Sequence, residues 1–436
     1  LYKVGGCILS KSFNPAVVII IGFALMILVG ATLLKLPISA LEGIEIKTID
    51  AVFTSASAVC VTGLISIDIA NNFSVFGRTV VALLIQIGGL GVTTVGVWIM
   101  IMMGKKVGLT SKLLIKEAYN LNSVRGVKKL LKSIIYMTLF FEIVGAGLSF
   151  LVFSRDYEPM KAMGISVFHS IAAFNNSGAD ILGDFKNLLP YQDDILLNAV
   201  TCGLIIFGGL GFYTISEIQQ KKRFKEFCLN TKVVIVMTIA LLLGGTVLLK
   251  FTERISWLGC FFQSTAARTA GFSTYAIGGF SNAGIVVLIL LMFVGASPGS
   301  TGGGIKTTTA YLLLKSIFNK SGNGECVAFK RRISSENILK AFILTNMSLA
   351  LIVMFTFLIC YVEGEFAFMD VLFETVSAFG TVGLTRGITP NLKTLSKMII
   401  CVTMFIGRVG PLTIACLWSF RKVTDTNYQK ENIMIG

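Results

Sequence analysis

Charge is scarce in this sequence. Asp, Glu, Lys and Arg make up 14% of the 436 residues, against 54% apolar residues. A soluble domain has roughly 25% charged residues, and a water-facing surface on a chain this long could not be covered with so few. A soluble enzyme, a secreted disulfide scaffold and a disordered regulator are thereby excluded, and the composition points to a bilayer. Histidine is scarcer still. The one histidine, His169, has no metal-ligand neighbours and reads as a satisfied polar residue. The nine cysteines contain no CxxC pair and mostly lie in apolar runs, so they read as small hydrophobes. No segment has the form of a cleavable signal, and the first apolar run is expected to act as an uncleaved anchor. No catalytic triad, metal-ligand cluster or nucleotide fold is visible, and no enzymatic activity is expected.

What the chain does have is long apolar runs. A hydrocarbon core of ~30 Å needs about 20 helical residues. Eight runs reach that length: 15–36, 78–103, 133–153, 191–216, 232–251, 283–318 (interrupted), 339–362 and 394–420. Between the members of each successive pair lies a shorter, half-apolar segment, at 48–60, 164–176, 256–268 and 369–380. These are too short to span and suit re-entrant segments. The expected fold is an all-α membrane protein with eight spans, built as four pseudo-repeats of helix, re-entrant loop and helix around one central pore. Their expected bounds are 1–104, 105–220, 221–320 and 321–436.

The 38 basic and 23 acidic residues sort by side. The termini and the loops joining successive pairs hold 24 of the basic residues and only 7 of the acidic ones. By the positive-inside rule these segments are cytoplasmic and the short segments enter from outside. The basic excess therefore encodes orientation, and nucleic acid is not an expected partner. Lys105, Lys106, Lys128, Lys129, Lys221, Lys222, Arg223, Lys330, Arg331 and Arg332 offer docking surfaces or anchors on anionic membrane lipid.

The short segments align with one another. They end in Cys60-Val61-Thr62-Gly63, Asn175-Asn176-Ser177-Gly178, Arg268-Thr269-Ala270-Gly271 and Gly380-Thr381-Val382-Gly383. A second glycine cluster follows each final glycine by 24–30 residues, beginning at Gly88, Gly208, Gly295 and Gly407. One glycine alone would read as helix packing. Four phased recurrences, each after a non-spanning segment, point instead to irregular backbone lining a watery path. Such segments can supply a ring of carbonyls to a dehydrated cation, and these sixteen residues are the candidate cation ligands, mainly through backbone oxygen. The C-terminal dipole ends of the short helices favour a cation near the midplane. Thr381-Val382-Gly383-Leu384 is close to the T-V-G-Y signature of potassium-channel filters. Asn175 and Asn176 could add side-chain polarity or act from behind. Arg268 could snorkel outward or pair with an acid.

The third unit departs from the others. Its second helix breaks at Ala296-Ser297-Pro298-Gly299-Ser300-Thr301-Gly302-Gly303-Gly304, then resumes with Ile305 and Lys306. A nucleotide phosphate loop is excluded, because Ile305 separates glycine from lysine and a transmembrane run stands where a strand is required. Arg408 lies inside the last span at the level of this break. An arginine there faces the bundle interior or water. It could instead pair with Glu142 inside the third span.

Four helix–loop–helix units, glycines at 63, 178, 271 and 383, and the run Ala296–Thr309 resemble the Trk/Ktr/HKT superfamily of cation transporters, most nearly the membrane subunits of bacterial Ktr potassium uptake. The resemblance covers essentially the whole chain. It implies potassium uptake across a bacterial plasma membrane, with Gly63 matching the potassium-selective members. It implies that 296–304, Lys306 and Arg408 gate the pore. It also implies a homodimer, no cofactor on this chain beyond K+ (with Na+ possible), and a cytosolic KtrA-like ring that binds ATP and ADP. Two other readings stand beside it. A coupled secondary transporter would need a midplane cavity with paired ionisable groups. A membrane-embedded enzyme would need clustered His, Asp or Glu at depth, where only Glu142 is found.

Overall fold

The computed structural model describes residues 15–103, 108, 112–115, 127–318, 326–411 and 413. Lys3, Lys11, Lys105, Lys106, Cys7, Cys416 and the end of the 394–420 run lie outside the described residues. The described residues are mostly helical. The helices of nine residues or more are α1 (Pro15–Lys35), α2 (Thr48–Cys60), α3 (Val75–Leu90), α4 (Val92–Met102), α5 (Val127–Phe153), α6 (Pro159–Phe174), α7 (Ile195–Leu210), α8 (Phe212–Gln220), α9 (Leu229–Thr252), α10 (Trp257–Thr269), α11 (Asn282–Phe293), α12 (Thr307–Phe318), α13 (Ser335–Val362), α14 (Phe368–Gly380) and α15 (Thr394–Val409). A two-stranded hairpin, Cys326–Ala328 with Arg331–Ile333, lies between α12 and α13.

Among the described residues, α1, α5, α9 and α13 are long and apolar enough to cross a membrane. Six spans result if α3 with α4 and α7 with α8 each count as one bent span. The continuous spans expected at 78–103 and 191–216 are thus corrected. The first bends by 97° and the second by 93°. The break falls on Gly91 (φ 85°) and Gly211 (φ 88°), a left-handed conformation that L side chains rarely adopt. Gly410, after α15, has the same conformation at φ 94°. Among the described residues, the break expected only at 296–304 is therefore joined by two others, at Gly91 and Gly211. It is the longest of these, a whole loop where the other two are a single glycine.

Each long helix packs on the short helix that follows it. A Cβ on Gly30 would strike Ser55 and Leu84; on Gly145, Ser170 and Leu204; on Gly245, Ser264 and Leu291. Each of these serines donates to a carbonyl three residues before its glycine: Ser55 Oγ to Ile27 O at 2.7 Å, Ser170 Oγ to Glu142 O at 2.7 Å, and Ser264 Oγ to Leu242 O at 2.9 Å. The missing side chain lets the helices approach closely, which drives packing where lipid removes the hydrophobic incentive. The short helices are the buried elements. α2, α6, α10 and α14 sit inside with Phe53, Phe174, Phe262 and Phe373 fully buried, while α1, α5, α9 and α13 expose long apolar faces.

Asp50 on α2 and Lys397 on α15 form a buried ion pair at 3.0 Å, joining the start of the chain to its end. Leaving one partner of a buried pair uncompensated costs about 3–5 kcal/mol, whereas an apolar replacement of both is often near neutral. Asp50→Leu is expected to lower thermal stability in detergent by that amount, with most of it restored in Asp50→Leu/Lys397→Met. Equal melting of the unaltered chain and Asp50→Leu would remove the pair from the account of stability.

Candidate functional site

The site begins where the short helices end. α2 and α14 finish in left-handed residues, Val61 (φ 56°) and Thr381 (φ 49°), and Asn176 (φ 61°) holds the same place after α6. Each turn is closed by two backbone bonds, such as Val61 N to Ala58 O at 3.1 Å and Thr62 N to Ser57 O at 2.8 Å. This is the reciprocal helix-ending pattern that satisfies the last carbonyls. α10 differs. It runs on through Thr269, and Ala270 has φ −113°. In two units a serine one turn back holds the strand: Gly63 N donates to Ser57 Oγ at 3.0 Å and Gly383 N to Ser377 Oγ at 3.1 Å.

The four glycines then meet. All have positive φ: 87° at Gly63, 69° at Gly178, 68° at Gly271 and 95° at Gly383. A Cβ on Gly63 would strike Ser177 O, one on Gly178 would strike Ala270 O, one on Gly271 would strike Val382 O, and one on Gly383 would strike Thr62 O. The contacts close a cycle of four, each glycine against the carbonyl that precedes the next. Such a cycle gathers backbone oxygens from four strands and excludes side chains from it. Behind it, Gly88, Gly208 and Gly407 allow the carbonyls of Val59, Phe174 and Phe379 to approach the second helices.

A loop crosses beneath the cycle. It opens and closes on itself through Gly295 N to Ile305 O at 2.9 Å and Thr307 N to Ala296 O at 3.3 Å. Ser297 N and Thr301 N donate to Gly209 O and Gly208 O at 3.1 and 3.3 Å, and Gly299 O accepts from Phe212 N at 3.0 Å. Thr301 Oγ1 donates to Phe174 O at 3.3 Å and bonds the Asn176 side chain at 3.0 Å. Gly303 N donates to Thr381 Oγ1 at 3.0 Å. The Arg408 guanidinium donates to the carbonyls of Thr301, Gly88 and Gly89. Lys306 Nζ donates to Gly302 O at 2.8 Å. A cavity of about 280 Å³ borders the loop, with Ser300, Lys306 and Arg408 in its wall.

The residues selected as cation ligands and gate lie on the helix ends, the cycle and the loop, as follows. Cys60 and Gly380 are the last helical residues of α2 and α14, and Arg268 lies inside α10. Arg268 neither snorkels nor pairs. It is 6% exposed, and no carboxylate among the described residues meets it. Glu142 does not serve Arg408 in the bonds above; its carboxyl accepts from Asn175 Nδ2 at 3.1 Å, which also reaches Gln86 Oε1 at 2.9 Å. Asn175 and Asn176 thus act from behind the carbonyl cycle. His169 is buried against Phe153 and Phe272 and bonds Thr201 Oγ1 at 2.9 Å. Sequence reasoning alone does not single out Ser57, Ser377, Gln263 and Glu374; the shared offset of Ser57 and Ser377, each six residues before its glycine, is a signal that could have found that pair, whereas Gln263 and Glu374 stand eight and nine residues before theirs.

Comparison with known proteins places the chain among cation transport proteins. The family model for TrkH, a cation transport protein, matches residues 11–232 and 223–429. The chain is 40% identical over 428 residues to Ktr system potassium uptake protein B of Bacillus subtilis (strain 168), covering 95% of each. It is 35% identical over 446 residues to potassium/sodium uptake protein NtpJ of Enterococcus hirae, covering 98% of each. Its fold is similar to the crystal structure of the potassium transporter TrkH from Vibrio parahaemolyticus, at a TM-score of 0.72 and 17% identity, over 95% of this chain and 86% of that one. The proteins of this family are transporters and not enzymes. With its long apolar helices and a family match over nearly its whole length, the chain is a membrane protein that belongs to the TrkH family of cation transport proteins.

Proposed function

We propose that this chain carries potassium into a bacterial cell through a pore whose filter is the cycle of backbone carbonyls closed by Gly63, Gly178, Gly271 and Gly383. That cycle is the observation that carries the reading. Four strands with no room for side chains offer oxygens to a cation stripped of water. Relatives at 40% and 35% identity are named for potassium uptake. The loop 296–304, held by Lys306 and Arg408, is the gate. Two basic side chains beneath the filter oppose a cation leaving it, and glycines on both sides of the loop let it move.

The architecture in this reading is four pseudo-repeats with eight spans, bounded near 104, 220 and 320, in the plasma membrane with both termini cytoplasmic. The repeated Gly–Ser–Leu contacts, the bends at Gly91 and Gly211 and the like backbone conformation of Gly410 support it. The functional unit is a homodimer worked by a cytosolic KtrA-like ring that binds ATP or ADP; the likeness to Ktr system proteins supports this. Sodium stimulates uptake. Expression in a potassium-uptake-deficient bacterium, with and without such a ring protein, is expected to restore growth at low potassium. Purified chain in liposomes should take up Rb+. No rescue together with no Rb+ uptake would sink the reading.

A further inference from the structure

Glu374 lies on α14, nine positions before Gly383, and is 1% exposed. A buried carboxyl is costly unless its oxygens are satisfied. Here they are. Oε1 accepts from the Arg386 amide at 3.0 Å and from the Thr385 hydroxyl. Oε2 accepts from Thr389 Oγ1 at 2.9 Å. All three donors belong to the segment that leaves the carbonyl cycle just after Gly383 and Leu384. Thr385 Oγ1 also accepts from Gly387 N at 2.8 Å, so the carboxyl organises the whole turn. The Arg386 guanidinium does not compete for it, being paired with Asp370 at 3.0 Å.

A parallel brace stands in the neighbouring strand. Gln263 on α10 is fully buried and bonds Ser273 Oγ at 2.9 Å. With its amide turned over, its oxygen also accepts from Thr274 N at 3.1 Å. Ser273 and Thr385 each stand two residues past their glycine. The other two strands lack this device. The residues nine before Gly63 and Gly178 are Thr54, whose hydroxyl has no hydrogen-bond partner among the described residues, and His169, which bonds Thr201.

Discrimination between cations depends on where carbonyls sit and how firmly they are held. A functional constellation holds its geometry only when the surrounding shell locks it. We propose that Glu374 is a positioning residue: by tying down 385–389 it fixes the carbonyls of Val382 and Gly383 and so sets the preference for potassium over sodium. This rests on the pore reading above.

The test uses the full chain in proteoliposomes, with Rb+ and Na+ uptake measured side by side. Glu374→Leu removes the acceptor. Thr389→Val removes one donor and leaves the carboxyl in place. Glu374→Gln keeps an oxygen for the Arg386 amide, and its new N–H can donate to a threonine hydroxyl. The ratio of Rb+ to Na+ uptake is expected to fall about tenfold in Glu374→Leu and about threefold in Thr389→Val, as loss of several buried hydrogen bonds and of one implies, and to stay within about twofold in Glu374→Gln. A purely structural role would lower both fluxes together and leave the ratio unchanged. An unchanged ratio in folded Glu374→Leu, or in Thr389→Val where the leucine variant does not fold, overturns the inference. No Rb+ uptake by the unaltered chain would overturn the pore reading, and this inference with it.

Discussion

Arg408→Ala is expected to raise Rb+ flux through the chain by about ten- to hundredfold in the absence of any regulatory partner. The guanidinium fastens three carbonyls from two parts of the chain: Thr301 in the loop, and Gly88 and Gly89 where α3 ends. A hydrogen bond from a charged group contributes about 1.5–3 kcal/mol, so losing one shifts a closed–open balance by roughly that factor. Alanine removes all three and also removes a positive charge from beneath the carbonyl cycle proposed as the filter. Shortening 297–304 should act in the same direction, since Ser297, Gly299 and Thr301 each bond the end of α7 or the start of α8. Thr381→Val, which loses only the bond to Gly303 N, should have a smaller effect of the same sign. The measurement is initial Rb+ uptake into liposomes at matched protein. Flux equal to that of the unaltered chain in both Arg408→Ala and the shortened loop would remove the loop from the gating account.

Gly178→Ala is expected to abolish uptake, with a loss of about hundredfold or more. Two effects combine. Gly178 has φ 69°, where an L residue is strained by about 1–2 kcal/mol. Its Cβ would also enter the space of Ala270 O, which is backbone and cannot swing away. The same argument holds at Gly63, Gly271 and Gly383, where the struck atom is again a carbonyl of the next strand. Gly203 is the control. It is helical, with nothing within 4 Å of where a Cβ would stand, so alanine there should be neutral or slightly stabilising. Uptake by Gly178→Ala equal to that by Gly203→Ala would mean that the glycines do not line the path.

Much of this arrangement was legible because it follows from length and phase. Thr48–Cys60 and Phe368–Gly380 fall within a residue of the expected re-entrant segments, since a half-apolar run too short to span has few other places to go. α6 starts five residues earlier than expected, at Pro159, because proline is tolerated in the first helical turn. The bends at Gly91 and Gly211 were not legible. An apolar run keeps the same hydropathy whichever way the helix turns, and Gly-Gly-Leu-Gly reads equally well as packing. The loop at 297–304 was visible only because serine and threonine interrupt its run. The two arginines at membrane depth also diverge. Arg408 meets the loop, whereas Arg268 is buried with no carboxylate against it among the described residues, and nothing local to either residue distinguishes them. Glu374 reads in the sequence as one acid among many. Its meaning depends on donors 11 to 15 residues away, brought back by the turn after Gly383.

The cycle of carbonyls has a consequence for biosynthesis. Its last wall, at Gly383, rests on its first, at Thr62, and 320 residues separate Gly63 from Gly383. At a synthesis rate of about 5–20 residues per second, some 16–64 s pass between the making of the first wall and the last. Throughout that interval the nascent chain holds an open arc. The Asp50–Lys397 pair, which spans the same seam, completes later still. A ribosome that stalls before Gly383 therefore leaves a protein in the bilayer whose cycle of carbonyls is unclosed.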